Sequence, residues 1–204
     1  MDFAYYRQSI GAAFRLAARD HEGLKQFDLS AEGFFRSFAA FAFVVPLNIL
    51  FDLFMLRLLE AKSLSEGKAD ALGSYGLPEL LFSTATLGIE WLIFPIAAIF
   101  LLRFLNLSDR YATLIIAHNW GRIVTGLFNL PTIVLFSLGL ISHQVAFDLL
   151  FITFGLTLYY RFYITQTALE VGWSLAMAIT IIEILLMIFF AEAVWNSQHL
   201  WIAP

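Results

Sequence analysis

Runs of about twenty mostly apolar residues, the length an α-helix needs to cross a hydrocarbon core of about 30 Å, recur five times and decide what this chain can become. They lie at about residues 37–58, 80–102, 112–136, 145–164 and 173–194, each closed by polar, glycine or proline punctuation. Membrane-spanning strands would show alternating segments of about ten residues, so unbroken runs of this length predict helices. Composition agrees: 60% hydrophobic and 14% charged residues in a chain of 204 leave too little polar surface to coat a soluble core, which usually carries about 25% charged residues. The expected fold is all-α, a polytopic membrane bundle of five transmembrane helices over residues 34–204, preceded by an amphipathic interfacial helix within residues 1–33.

The same figures exclude several functions. Sixteen acidic against twelve basic residues leave no cationic surface for nucleic acid. With no cysteine there is no disulfide scaffold, thiolate zinc site, iron-sulfur cluster or cysteine nucleophile. No phosphate-binding glycine loop, dinucleotide fingerprint or His-Glu-x-x-His helix occurs, and His21, His118, His143 and His199 are too scattered for a metal site. No catalytic residue, metal or cofactor is therefore expected. The partner is the lipid bilayer itself, with a membrane protein or a second copy as the only others that such short loops admit.

Eight cations, Arg7, Arg15, Arg19, Lys25, Arg36, Arg103, Arg110 and Arg161, fall on the amino-terminal side of the five spans. The far side holds Arg57, Lys62 and Lys68, interleaved with Glu60, Glu66 and Asp70. This asymmetry predicts a cytoplasmic amino terminus and a periplasmic carboxyl terminus in a bacterial inner membrane. Asp2, Arg7 and Arg15 interrupt any signal-peptide core. Phe3, Tyr6, Ile10, Phe14 and Ala17 recur at helical steps opposite the membrane-surface cations Arg7, Arg15 and Arg19; the helix either lies among headgroups or docks on the protein's own cytoplasmic loops. Residues 21–25 form its hinge, and Asp28 and Ser30 supply turn and N-cap chemistry before the first span begins.

Ionisable groups cost about 2.5–3.5 kcal/mol each at a bilayer centre on insertion scales, so those inside the spans carry the most information. His118, Arg122, Thr125 and Asn129 share one face of the third span, and Glu79, Ser83, Thr86 and Glu90 one face of the second. At 1.5 Å per residue, Glu90 and Arg122 each reach about 15 Å into the bilayer from opposite sides. Glu183 arrives at similar depth, which predicts a buried cluster of Glu90, Arg122 and Glu183 with His118 and Asn119 nearby. Such a cluster either fixes helix register or serves as a proton, ion or substrate site. Asn48 and Asp52 edge an outward cavity, or sit at the interface or bond backbone freed by Pro46, and Arg161, among Tyr159, Tyr160 and Tyr163, is expected to anchor at the interface. Pro46, Pro95 and Pro131 are expected to kink their helices. Trp173, Trp195 and Trp201 suit the aromatic belts, and Trp91 and Trp120 lie deeper, as packing.

The stretch 111–135, from Tyr111 to beyond Pro131, and the stretch 165–185, with Gly172, Ser174 and Ala176, resemble the third span and the fourth-to-fifth hairpin of the Yip family of membrane proteins. That resemblance implies a cytoplasmic amino terminus, five membrane helices, a short far-side tail and a membrane-organising role. It supplies no catalytic residue, and the Asp-Leu-Tyr-Gly-Pro signature of eukaryotic members does not occur here. The chain also looks like compact inner-membrane proteins of proteobacteria. The leading expectation is a non-enzymatic membrane scaffold or accessory subunit. The alternative is a small transporter or channel component that uses midplane Glu, Arg and His for proton or ion coupling, with a lipid-modifying enzyme built on His118 as a weaker third.

Overall fold

The computed structural model describes residues 3–67 and 76–202, apart from the side chains at 195 and 197–202. Expectations for Lys68 and Asp70, and for the side chains of Trp195, His199 and Trp201, lie outside the described residues. Among the described residues the fold is all-helical: α1 (Phe3–Ala17), α2 (Ala31–Ser37), α3 (Ala40–Ser65), α4 (Leu77–Phe104), α5 (Tyr111–Phe128), α6 (Leu130–Ser137), α7 (His143–Leu169) and α8 (Trp173–Ile202). Short 3-10 turns at His21–Gln26 and Ser108–Arg110 join α1 to α2 and α4 to α5.

Local chemistry sets several boundaries. Ser30 Oγ accepts the Gly33 N–H at 3.1 Å and so caps α2, while Asp28 Oδ1 accepts the Ser30 N–H at 3.0 Å. Glu170 closes α7 in the left-handed conformation, φ 54°, which satisfies end carbonyls as glycine more often does. Pro131 has no N–H, so the ladder between α5 and α6 is interrupted at Asn129. Pro46 and Pro95 leave α3 and α4 unbroken in their hydrogen-bonded assignment.

Four helical stretches are long and apolar enough to cross a membrane: Ala31–Ser65, which joins α2 to α3, then Leu77–Phe104, His143–Leu169 and Trp173–Val194. The third sequence-predicted span, 112–136, is not among them; it is divided into α5 and α6 and carries His118, Asn119 and Arg122. Position explains the difference. Every residue of α5 from Thr113 to Val124 is buried, because α1, α2, α3, α4 and α7 all pack around it. A helix that meets protein at every azimuth can hold polar groups that a lipid-facing helix cannot.

Packing is most extensive between α5 and α7. Gly121 permits it: a Cβ there would stand 2.6 Å from Ile164 Cδ1 and 3.4 Å from Tyr160 Cε1. Lipid tails are as apolar as leucine, so contact between helices in a membrane rests on such van der Waals fit and on hydrogen bonds rather than on water release. Outward, Leu81, Ile96, Phe100, Phe151 and Phe189 present large apolar side chains away from the protein.

α1 is docked on the bundle. Ser9, Ala12, Ala13 and Leu16 are buried, Tyr160 Oη donates to Ala13 O at 2.7 Å, and Tyr163 Oη donates to Arg19 O at 2.9 Å. The rings of Tyr5 and Tyr6 meet Trp120 of α5 at 5.9 and 6.1 Å. α1 thus rests on α5 and α7 and on the turn after it, His21–Gln26. Arg7 is exposed, Arg19 lies 5.7 Å from the centre of the Tyr159 ring, and Arg15 Nε donates to Asp20 Oδ2 at 2.7 Å. The hydrogen bond from Arg15 holds the Asp20 carboxyl below the usual carboxylate range, and the hydrogen bonds from Ser30 do the same for Asp28.

Candidate functional site

α3, α4, α5, α7 and α8 line a half-open cavity of about 770 Å³, with Phe154 and Ile188 exposed at its opening. Its lining begins at the level of Val44, Glu90, Arg122, Arg161 and Ile184 and ends near Met55, Thr86, Asn129, Leu150 and Val194. The ten helical steps of α8 from Ile184 to Val194 give it a depth of about 15 Å at 1.5 Å per residue. It therefore occupies the half of the bundle farther from α1 and closes on charge.

The lining is mixed. Arg122, Thr125 and Asn129 descend α5, Asn48, Thr86 and Thr157 add polar groups from α3, α4 and α7, and Phe51, Leu150, Phe154, Met187, Ile188 and Phe190 supply apolar surface. The spacing of four, three and four residues that marks the α5 stripe in the sequence therefore yields a cavity wall from Arg122 onward. His118, one turn earlier, is 3% exposed and meets other partners.

The expected triad of Glu90, Arg122 and Glu183 is two separate assemblies. Arg122 Nη1 approaches Glu90 Oε1 at 3.5 Å, and its guanidinium carbon lies 4.5 Å from the centre of the Trp91 ring. Glu183, fully buried on α8, accepts from Arg161 Nη1 through Oε1, and the same oxygen meets His118 Nε2 at 2.6 Å. Arg161 Nη1 also reaches Met187 Sδ at 3.2 Å. The cation on Glu183 is thus Arg161 rather than Arg122.

Arg161 is the principal correction. Expected at the interface, it is buried, because Glu183 and Met187 of α8 pack against it. It lies eight residues before the end of α7 at Leu169, where the sequence pattern ended the span at 164. The sequence held a usable signal: Arg161 and Glu183 lie on helices joined by a short turn at 170–172, so their distances from it are alike.

The other polar positions separate as well. Asn119 donates to Ser37 Oγ at 2.9 Å and ties α5 to α2, away from Arg122's partners. Asn129 Oδ1 accepts from Thr153 Oγ1 at 2.9 Å where α5 breaks. Asn48 Nδ2 donates to Asp52 Oδ2 at 3.0 Å and to Ser83 Oγ at 3.1 Å, and Ser83 Oγ donates to Asp52 Oδ2 at 2.5 Å. These side-chain bonds tie α3 to α4, where the sequence pattern favoured backbone near Pro46. Trp91 and Trp120 are buried as expected of packing residues, and Trp173 is exposed.

Arg122 is left with unused donor capacity. It is 6% exposed, and its Nε has no hydrogen-bond partner among the described residues. Glu183 Oε2 is likewise buried without a partner there. Trp91 Nε1, Trp120 Nε1 and Thr165 Oγ1 share this condition among the described residues, and buried polar atoms of this kind are places where water can be accommodated. Among the described residues no group of three His, Asp or Glu side chains is placed to hold a metal ion.

Comparison with family models, curated proteins and solved structures returns no match.

Proposed function

We propose that this protein is a small transporter component of a bacterial inner membrane, with its amino terminus cytoplasmic and five passes, α5 and α6 together forming the third. The observation that carries the reading is the cavity: about 770 Å³ lined by five helices and closed by Arg122 and Arg161. A bundle needing charge only for register would be expected to close around its ion pairs, since protein interiors pack densely with few voids larger than a water molecule. Here Glu183 sits behind the wall, while its partner Arg161 and the pair Glu90 and Arg122 line the space.

In this reading the cavity is the far-side half of a pathway. The near-side half is occupied by side chains, with Thr113 to Val124 buried and Tyr5 and Tyr6 against Trp120. Passage requires the amino-terminal segment and α5 to shift relative to α7. Glu183, between His118 and Arg161, couples that shift to charge: displacing Arg161 leaves a carboxylate that must take a proton or keep His118 protonated.

The natural absence of cysteine gives a direct test. Thr125→Cys and Asn129→Cys, each alone, react with a membrane-impermeant maleimide applied to the face opposite the amino terminus, and more slowly when it is applied to the near face. Leu114→Cys, deep in the closed half, reacts far more slowly from either side. Failure of Thr125→Cys to react from the far side would sink the reading, and reaction from that side alone would reduce it to a binding protein without passage.

A further inference from the structure

Resting on the reading of the cavity as a binding site, the structure points, we infer, to its occupant and its entrance: an uncharged single-chain amphiphile with a hydroxyl head, admitted from the hydrocarbon of the bilayer through a lateral mouth between α7 and α8. The placement of exposure carries the entrance. Of the lining residues, Phe154 of α7 and Ile188 and Ala191 of α8 are exposed, and those contributed by α3, α4 and α5 are not. Phe154 and Ile188 each lie fifteen residues from the hairpin end of their helix, at Leu169 and Trp173, so they stand at one level about 22 Å from the turn. Nearer the turn Arg161, bonded to Glu183 and Met187, pins the two helices together. The mouth therefore lies within two of the helices long and apolar enough to cross a membrane, and what stands outside it is lipid rather than water.

Charge decides the head. Arg122 and Arg161 are matched by Glu90 and Glu183, so, with His118 neutral, the ionised groups on and behind the lining cancel. An anionic or cationic head would upset that balance at low dielectric, and a zwitterion would have to break the Glu90 and Arg122 pair to be matched itself. A hydroxyl needs only an acceptor. Glu90 is the accessible one: its side chain is 24% exposed against 6% for Arg122, and their pairing is a single approach at 3.5 Å. Thr125 already donates to the Arg122 carbonyl, Asn129 accepts from Thr153, and Asn48 donates to Asp52 and Ser83.

The apolar part of the lining receives the chain. Side chains from α3, α4, α7 and α8, such as Phe51, Leu87, Leu158 and Phe190, supply it. With the hydroxyl at Glu90, one alkyl chain lies along them and leaves between Phe154 and Ile188, which keeps it out of water over its whole length.

Photolabelling from within the bilayer tests both parts. The full chain in dioleoylphosphatidylcholine vesicles is irradiated with a dodecanol that carries a diazirine next to its hydroxyl-bearing carbon, and adducts are mapped by mass spectrometry. They are expected at Glu90 and within residues 122–129 of α5. Unlabelled dodecanol competes, and dodecanesulfonate, dodecyltrimethylammonium and dodecylphosphocholine at equal mole fraction compete at least about tenfold less well, as unmatched buried charge requires. In Glu90→Gln the order changes: Arg122 is left without its carboxylate, so dodecanesulfonate becomes at least as effective as dodecanol. Ala191→Trp, which fills the mouth, lowers the adduct yield severalfold while keeping the native unfolding temperature in mild detergent, and Phe151→Trp, on the outer face of α7, leaves the yield unchanged. Absence of adducts from the lining, equal competition by any of the charged amphiphiles, or an unchanged order in Glu90→Gln overturns the hydroxyl-headed occupant. A full yield in Ala191→Trp overturns the lateral entrance. Probe and competitors reach the site through lipid, whereas the maleimide reaches Thr125→Cys through water, so this inference and the reading it rests on fail separately.

Discussion

Arg161 on α7 donates to Glu183 on α8 through the carboxylate oxygen that also meets His118 on α5, so three helices converge on one buried atom. Glu90 and Arg122 form the looser counterpart on the cavity side, and Glu90 keeps part of its side chain accessible. The two pairs have different surroundings and are expected to behave differently when broken.

Removing one partner of the tight pair leaves an uncompensated buried charge. Arg161→Ala is expected to lower stability by about 3–5 kcal/mol. Arg161→Met with Glu183→Met, which replaces the pair by apolar volume, is expected to recover at least half of that. Thermal unfolding in mild detergent reads both, and additive losses would show that the two side chains do not act as a unit.

The Glu90 and Arg122 pair is held less firmly. A double-mutant cycle with Glu90→Gln and Arg122→Gln is expected to give a coupling of about 1 kcal/mol or less, because one partner is partly exposed and the approach is long. A coupling as large as that of Arg161 with Glu183 would recast Arg122 as a structural pin.

Close packing of α5 on α7 depends on the missing side chain at Gly121. Gly121→Ala places a Cβ 2.6 Å from Ile164 Cδ1 and is expected to cost about 1–2 kcal/mol by overpacking. Ile164→Val removes that methyl. The double variant should therefore be more stable than Gly121→Ala alone; no rescue would place the clash elsewhere.

Acidification should loosen the amino-terminal segment first. Arg15 and the Glu22 N–H bond the Asp20 carboxylate, and Ser30 bonds Asp28, lowering both pKa values in the folded state. A lowered folded pKa means stability that is present above the unfolded value of about 3.9 and is lost as pH falls through the folded one. Amide exchange across residues 12–33 is expected to accelerate below about pH 4, ahead of α5, and Asp20→Asn should already exchange faster at neutral pH. Simultaneous acceleration of both regions would show that α1 does not loosen separately.

Much of the helical layout is legible in the sequence, because hydrocarbon thickness and backbone hydrogen bonding leave few solutions for long apolar runs. Pro131 signals the break after α5, and Ser30 the cap of α2, through chemistry confined to a few neighbouring residues. The polar stripe on α5 was also legible, since Arg122, Thr125 and Asn129 need only helical periodicity to share a face.

Partner choice was legible only as the like distances of Arg161 and Glu183 from the turn at 170–172, not as contact. Arg122 and Arg161 both line the cavity, yet Arg161 meets Glu183 while Arg122 meets Glu90 and Trp91. Rotation about a helix axis is set by packing with neighbours rather than by hydrophobicity along the chain. The sequence by itself determined which segments become helices and which residues lipid would reject. The tertiary structure alone decided that α5 is enclosed on every side, that two ion pairs form in place of one cluster, and that a cavity opens beside Arg122. Each of these depends on contacts between residues distant in the chain, which local pattern does not encode.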